Sequence, residues 1–298
     1  MKAKNSMKIK ESLGERIFDV FNVIFFILVI LVILIPLLHI LFASFSEPIQ
    51  VMRHKGMILK PLGFTLDSYR AVAKNPNILT GYRNTIFIVV AGTTLNLFLT
   101  VLAAYIISRK EFMWKNALTI LIVITMYFDG GMIPFYLTVK SVKLDGTIWA
   151  LIIPSAINTF NLIIMRTVMA NVPESMSESA KIDGASHMRI LFTIMVPLTK
   201  ATIAVLTLYY AVHHWNSWFH AMIFLRKREL YPLQLILREI LIQGDTTMMT
   251  AGSGEDVALI GETIKYATIV VATVPVLCVY PFLQRYFVKG VMVGAIKG

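Results

Sequence analysis

The stretch Asn171-Val-Pro-Glu-Ser-Met-Ser-Glu-Ser-Ala-Lys-Ile-Asp-Gly-Ala-Ser-His-Met-Arg-Ile-Leu-Phe-Thr-Ile-Met-Val-Pro197 is helical in pattern and lies between two long apolar runs. It reads as two short helices meeting at Gly184, where the missing Cβ permits a turn. Asn171 can cap the first helix, Pro173 suits its first turn, and Glu174 and Glu178 favour its N-terminal end. Met176, Ala180 and Asp183 follow a three-to-four spacing, a narrow face with a small residue at its centre where another protein surface could come close. A docking helix fits this geometry, and so does an amphipathic helix lying on a membrane.

The surroundings of the loop set its context. Of 298 residues, 57% are hydrophobic and only 15% charged, with a mean hydropathy of +0.71. A soluble domain of this length needs more charge to cover itself. Crossing a hydrocarbon core of about 30 Å takes about 20 apolar residues. Five runs free of Asp, Glu, Lys and Arg meet that length: Val20 to Ser46, Asn84 to Ser108, Gly146 to Met165, Ala201 to Leu225 and Tyr266 to Gln284. A sixth, Asn116 to Val139, is interrupted only by Asp129 and is expected to kink or unwind at Gly130, Gly131 and Pro134. The expected fold is all-α and integral to the membrane, with six spans.

An isolated acid at membrane depth is costly, so Asp129 is expected toward a pathway, the protein interior or the far membrane surface. Lys2, Lys4, Lys8, Lys10 and Arg16 precede the first run, which is too long for the apolar region of a signal peptide and is read as a retained span. Arg109, Lys110 and Lys115, the basic residues from Arg166 to Lys200, and Arg285, Lys289 and Lys297 fall on the same side. Both chain ends are therefore expected in the cytoplasm. The division expected is a cytoplasmic segment 1–19, a membrane domain 20–286 with its loop 171–197, and a cytoplasmic tail 287–298.

The net charge of +11 does not argue for nucleic acid, because the basic residues sit between apolar runs rather than on one exposed face. The single cysteine, Cys278, excludes a disulfide framework.

Glu178-Ser179-Ala180, three residues, Gly184, nine residues, then Ile194-x-Val196-Pro197 resembles the EAA loop of bacterial ABC importer permeases, with Ser179 replacing the usual middle alanine. The resemblance extends along the chain to permeases of maltose-type carbohydrate importers, closest to the Gram-positive branch handling complex oligosaccharides. It is carried by Asn75 to Ile86, Gly130 to Lys140, His214-Trp-Asn-Ser-Trp-Phe219, Tyr231 to Glu239, Gln284 to Gly290 and Gly294 to Gly298.

The resemblance implies a type I importer permease in a bacterial plasma membrane, surrounded by lipid. It would pair with a second homologous permease, sit on a dimer of ATPase subunits and receive sugar, an oligosaccharide in this branch, from an extracellular binding lipoprotein. Glu178, Ser179, Ala180, Asp183 and Gly184 would press into the ATPase, and Pro197 would carry the motion onward. ATP and magnesium would belong to the partner ATPases, since the chain contains no GxxxxGK[ST] phosphate loop; no cofactor or metal is expected on this chain, and it is not itself an enzyme. The first outer loop and Gln243 to Gly254 are candidates for meeting the binding protein.

Sugars need aromatic faces and amide or hydroxyl partners. His214, Trp215, Asn216 and Trp218, with Asn158, Asn161 and Asp129, are the candidates for the route. His213 and His220 stand nearby. Interhelical packing explains such residues equally well. A metal enzyme built on these histidines fails on spacing, with no HExxH present. A self-contained ion-coupled transporter explains the apolar runs but not the loop.

Overall fold

The computed structural model describes residues 12–242, 261–278 and 281. Its elements are helical. In order they are α1 (Leu13–Ser44), α2 (Pro48–Arg53), α3 (Asp67–Lys74), α4 (Pro76–Ser108), α5 (Lys115–Ile124), α6 (Met132–Ser141), α7 (Trp149–Ile152), α8 (Thr159–Ala170) and α9 (Glu174–Ile182). Then come α10 (His187–Ile190), a π-helical turn (Leu191–Met195), α11 (Val196–Leu198), α12 (Lys200–Trp215), α13 (Phe219–Phe224), a 3-10 turn (Arg228–Leu230), α14 (Leu233–Ile242) and α15 (Gly261–Cys278). Among the described residues the only extended pairing is an isolated bridge between Ser46 and Phe64. Among the described residues, 12–71 with 261–270 form one compact unit, and 72–242 with 271–278 and 281 form a second.

In the first unit, α1 begins where Ser12 and Glu15 close a capping box, seven residues before the apolar run itself. None of the residues in its most apolar 18-residue stretch is buried, as suits side chains that face lipid or another subunit. At the end of α1, Ala43 forms a small core with Val51 and Ile58, and Ser46 Oγ accepts the Leu62 amide at 2.9 Å. Ser68 on α3 donates to Thr263 on α15 at 2.8 Å.

The second unit is organised by α4. Asn75 caps it and Pro76 opens it, and its 33 residues reach about 50 Å. One end of α4 packs Val101, Ala104 and Tyr105 against Leu162, Met165, Ile190, Leu191 and Leu206. Nearer the other end, Ile88 packs with Leu151, Ile152, Ala221 and Leu235.

Three expected spans are not continuous helices. Gly146 to Met165 breaks between α7 and α8, where Pro154 has no amide hydrogen and Asn158 starts a new helix by accepting the Asn161 amide at 3.1 Å. Ala201 to Leu225 breaks at Asn216, Ser217 and Trp218. Asn116 to Val139 opens from Thr125 to Gly131, around the residues expected to unwind it. α11 and α12 meet at a sharp bend, α10 through α11 lying at 84° to α12. The helices long and apolar enough to cross a membrane unaided are α1, α4 and α15, among the described residues. The last expected run is described only to Cys278 and at 281; its end, both chain termini and the loop Gln243 to Gly254 lie outside the described residues.

A broken helix leaves backbone groups that lipid cannot satisfy. In this unit α4 supplies the partners. Asn96 Nδ2 donates to the carbonyls of Ser155 (2.5 Å) and Ala156 (2.9 Å) in the α7–α8 break. Asn84 Nδ2 donates to those of Glu229 (2.8 Å) and Tyr231 (3.1 Å). Thr85 Oγ1 takes the otherwise unpaired Leu233 amide at the start of α14 (2.9 Å).

Asn84→Leu would therefore strip two carbonyls of their donor. It is expected to cost about 1 to 2 kcal/mol and to lower the thermal midpoint of the purified protein, measured by fluorescence-detected size exclusion, with Asn84→Gln intermediate.

Candidate functional site

The loop 171–197 folds as two helices with Gly184 at the corner, as its sequence leads one to expect. One capping assignment changes. Asn171 closes α8, its amide bonded to the carbonyls of Thr167 and Val168, and Pro173 takes the N-cap position of α9. Asparagine serves at either end of a helix, and α8 runs up to it before α9 can begin.

The C-terminus of α9 is a Schellman motif. Gly184 has φ +78°, its amide donates to the Lys181 carbonyl and the Ala185 amide donates to the Ala180 carbonyl, both at 2.9 Å. Ala180 and Ala185 turn inward against the cluster around Leu191 and Met195. Ala180, at the centre of the face formed by Met176, Ala180 and Asp183, is half-buried, because the motif brings the third-from-last residue of the helix against the residue after the glycine. What α9 presents outward is Met176, Glu178, Ser179, Ile182 and Asp183, with Ile182 87% exposed. Beyond the corner, Ser186 caps α10 and Met188 is exposed. Pro197 is exposed on α11, between the π-helical turn and the 84° bend.

Three consecutive residues after α4 grip α9 from inside. Lys110 pairs with Glu174 at its start (2.8 Å), Arg109 Nη1 donates to Ser177 Oγ in its middle (3.0 Å), and Lys181 near its end pairs with Glu111 (2.5 Å). The hydrogen bond from Lys181 holds the Glu111 carboxyl below its usual range, and the one to Glu174 raises the Lys110 ammonium. In the sequence, Arg109 and Lys110 count only toward the charge bias across the membrane, and Glu111 has no role. Their partners lie more than sixty positions away, so no local pattern announces them.

The residues proposed for a route separate into two sets. His214 is 1% exposed; its Nε2 meets Asn96 Oδ1 at 2.6 Å, and its ring fills the notch at Gly92. Asn158 caps α8 and Asn161 is buried. Trp215 sets its ring edge against Tyr82, and its indole nitrogen is buried without an acceptor among the described residues. These four are bound into helix packing within this chain.

Asn216 and Trp218 instead line a hollow of about 720 Å³ with His213, His220, Phe219 and Tyr209. The break after α12 opens it, and Tyr209 joins it one turn before His213 on α12. The Arg238 guanidinium lies 5.0 Å from the Trp218 ring centroid. Asp129, its carboxylate accepting the Gly131 amide at 2.8 Å, borders a second hollow of about 340 Å³ with Phe135, Pro154, Ser155 and His220. Phe219 and His220 are shared by both hollows. Broken helices around polar and aromatic hollows suit passage rather than chemistry, as irregular backbone at membrane depth belongs beside a cavity.

The fold matches, with a TM-score of 0.86 and 31% identity, a chain from a bacterial ABC transporter involved in the import of the acidic polysaccharide alginate, over 94% of this chain and 100% of that one. It is the fold of an ABC importer permease. Residues 101–293 match the model described as binding-protein-dependent transport system inner membrane component, and the chain belongs to that family. Two relatives from Bacillus subtilis (strain 168) are similar along almost their whole length. The polygalacturonan/rhamnogalacturonan transport system permease protein YtcP is 42% identical over 95% of this chain and 99% of its own. Protein LplC is 41% identical over 95% and 96%. The arabinooligosaccharides transport system permease protein AraQ of Halalkalibacterium halodurans is 26% identical over 87% of this chain and 89% of its own.

Proposed function

We propose that this permease component of a carbohydrate ABC importer crosses a bacterial plasma membrane six times, with both chain ends and α9 on the cytoplasmic side. It pairs with a second permease, stands on two ATPase subunits that carry ATP and magnesium, and accepts sugar from an extracellular binding protein. Residues 20–286 are the membrane domain. α1, α4, α15, the bent α10–α12 pair and the broken α5–α6 and α7–α8 segments support six crossings. One observation carries the coupling role: α9 holds its glutamate, serine, isoleucine and aspartate outward on a helix whose inner face is bonded to the bundle. That is a rigid projection that another protein can push.

An acidic oligosaccharide is the favoured cargo. Relatives are named for polygalacturonan/rhamnogalacturonan and alginate transport. The hollow offers His213, His220, Asn216 and Trp218, with Arg238 beside Trp218, and among the described residues no carboxylate lines it. Rings and amides suit a pyranose, and cationic groups suit its carboxylate.

The test is gentle purification of the tagged chain from its native membrane, with ATP hydrolysis measured with and without binding protein and sugar. A second permease and an ATPase should accompany it, and sugar-loaded binding protein should stimulate hydrolysis. Ile182→Arg should lower the recovered ATPase about tenfold at unchanged membrane level. A lone chain whose uptake follows an ion gradient and ignores ATP would overturn the reading.

A further inference from the structure

Arg109 has an unusual set of partners for a half-buried cation. Nη1 donates to Ser177 on α9, Nη2 approaches Met195 Sδ at 3.4 Å in the π-helical turn, and the guanidinium carbon lies 4.6 Å from the centroid of the Tyr105 ring at the end of α4. Nε is buried with no acceptor. Among the described residues no carboxylate pairs with it. Tyr105 in turn meets His187 Nδ1, at the start of α10, at 3.2 Å. One side chain thus ties the end of α4 to α9 and to the segment leading into α12, both more than sixty positions further along the chain.

The flanking pairs cannot do this work alone. Lys110 and Glu174 are 77% and 43% exposed, and Glu111 is 66% exposed. Exposed pairs hold geometry weakly and are screened by salt. Arg109 differs because its planar fork reaches a hydroxyl and a thioether at once while lying over a ring, a combination that an ammonium cannot reproduce.

We propose that Arg109 is a positioning residue that makes α9 and the end of α4 move as one body. A push on α9 from the ATPase then travels along α4 to the Gly92–Asn96–His214 contact, which adjoins the break lining the larger hollow. Signals from the outer side return by the same rod. The proposal rests on α9 being the coupling helix, and it adds a second route to the one through the chain on either side of α9.

The experiment uses the complete importer in nanodiscs, with binding protein and an oligogalacturonate as the sugar, or whichever oligosaccharide its binding protein takes up. Arg109→Gln should leave assembly and basal ATP hydrolysis unchanged and lower the binding-protein-stimulated rate, and uptake per ATP, about tenfold. Arg109→Lys should not rescue it, since the charge alone is not what joins the helices. Ser177→Ala with Met195→Leu removes both acceptors while keeping the cation, and should lower stimulation about fivefold even if Arg109→Gln fails to assemble. Stimulation within twofold of the unmodified complex in the assembled variants, or loss only in proportion to lost assembly, would overturn the proposal. Ile182→Arg separates the two claims: if it releases the ATPase while the Arg109 variants stay coupled, the docking role stands and the joint does not.

Discussion

Gly184→Pro is expected to lower ATP-dependent uptake by at least about 100-fold while leaving sugar capture by the separate binding protein intact. Proline fixes φ near −65°, whereas Gly184 stands at +78°. Its ring also removes the amide that donates to the Lys181 carbonyl, and the altered turn pulls the Ala185 amide from Ala180. A wrong backbone angle and two lost bonds cost about 3 kcal/mol or more, the equivalent of two orders of magnitude in the population of the docked corner. Gly184→Asn, which tolerates the left-handed region, should keep most of the activity. Uptake assays in cells with matched membrane levels decide it; a Gly184→Pro chain within twofold of the unmodified one would remove the corner from the coupling mechanism.

The second large effect lies at membrane depth. A Cβ on residue 92 would stand 2.4 Å from His214 Nε2 and 2.7 Å from its Cε1, closer than real atoms approach. The imidazole has no easy retreat, being buried and bonded to Asn96. Gly92→Leu should therefore force α4 and α12 apart, costing about 3 kcal/mol and lowering the folded protein in the membrane at least fivefold. Removing the obstacle should restore much of it: Gly92→Leu with His214→Ala is expected at more than half the normal level, judged by size exclusion of the detergent extract. A double variant no better than the single would mean that the two side chains are not in conflict.

These two sites also mark how far the sequence could be read. Asp183-Gly184-Ala185 announced a turn because the physics of a helix C-terminus is local, and the structure adds only which residues the turn draws inward. His214 was legible as a polar residue at depth but not as a packing residue, because its partner Asn96 is 118 positions away. The apolar runs marked what enters a membrane, yet a window without charge says nothing of helix continuity. The break at Pro154 persists because Asn96, distant in sequence on α4, satisfies the freed carbonyls of Ser155 and Ala156. In the sequence Arg109 is one more charge near a membrane surface, and its contact with Ser177, 68 positions away, has no local signature.

The order of the amides on α4 has a bearing on how the protein is made. Asn84, Thr85 and Asn96 all precede the groups they satisfy, at residues 155, 156, 229, 231 and 233. Chains are delivered from the N-terminus at about 5 to 20 residues per second. α4 is therefore made first, and the break at Ser155 and Ala156 emerges from the ribosome with its partner Asn96 already in place. Synthesis in this direction spares the half-built permease from holding bare carbonyls in lipid; a permuted chain that presented the breaks before α4 would meet that cost at every step.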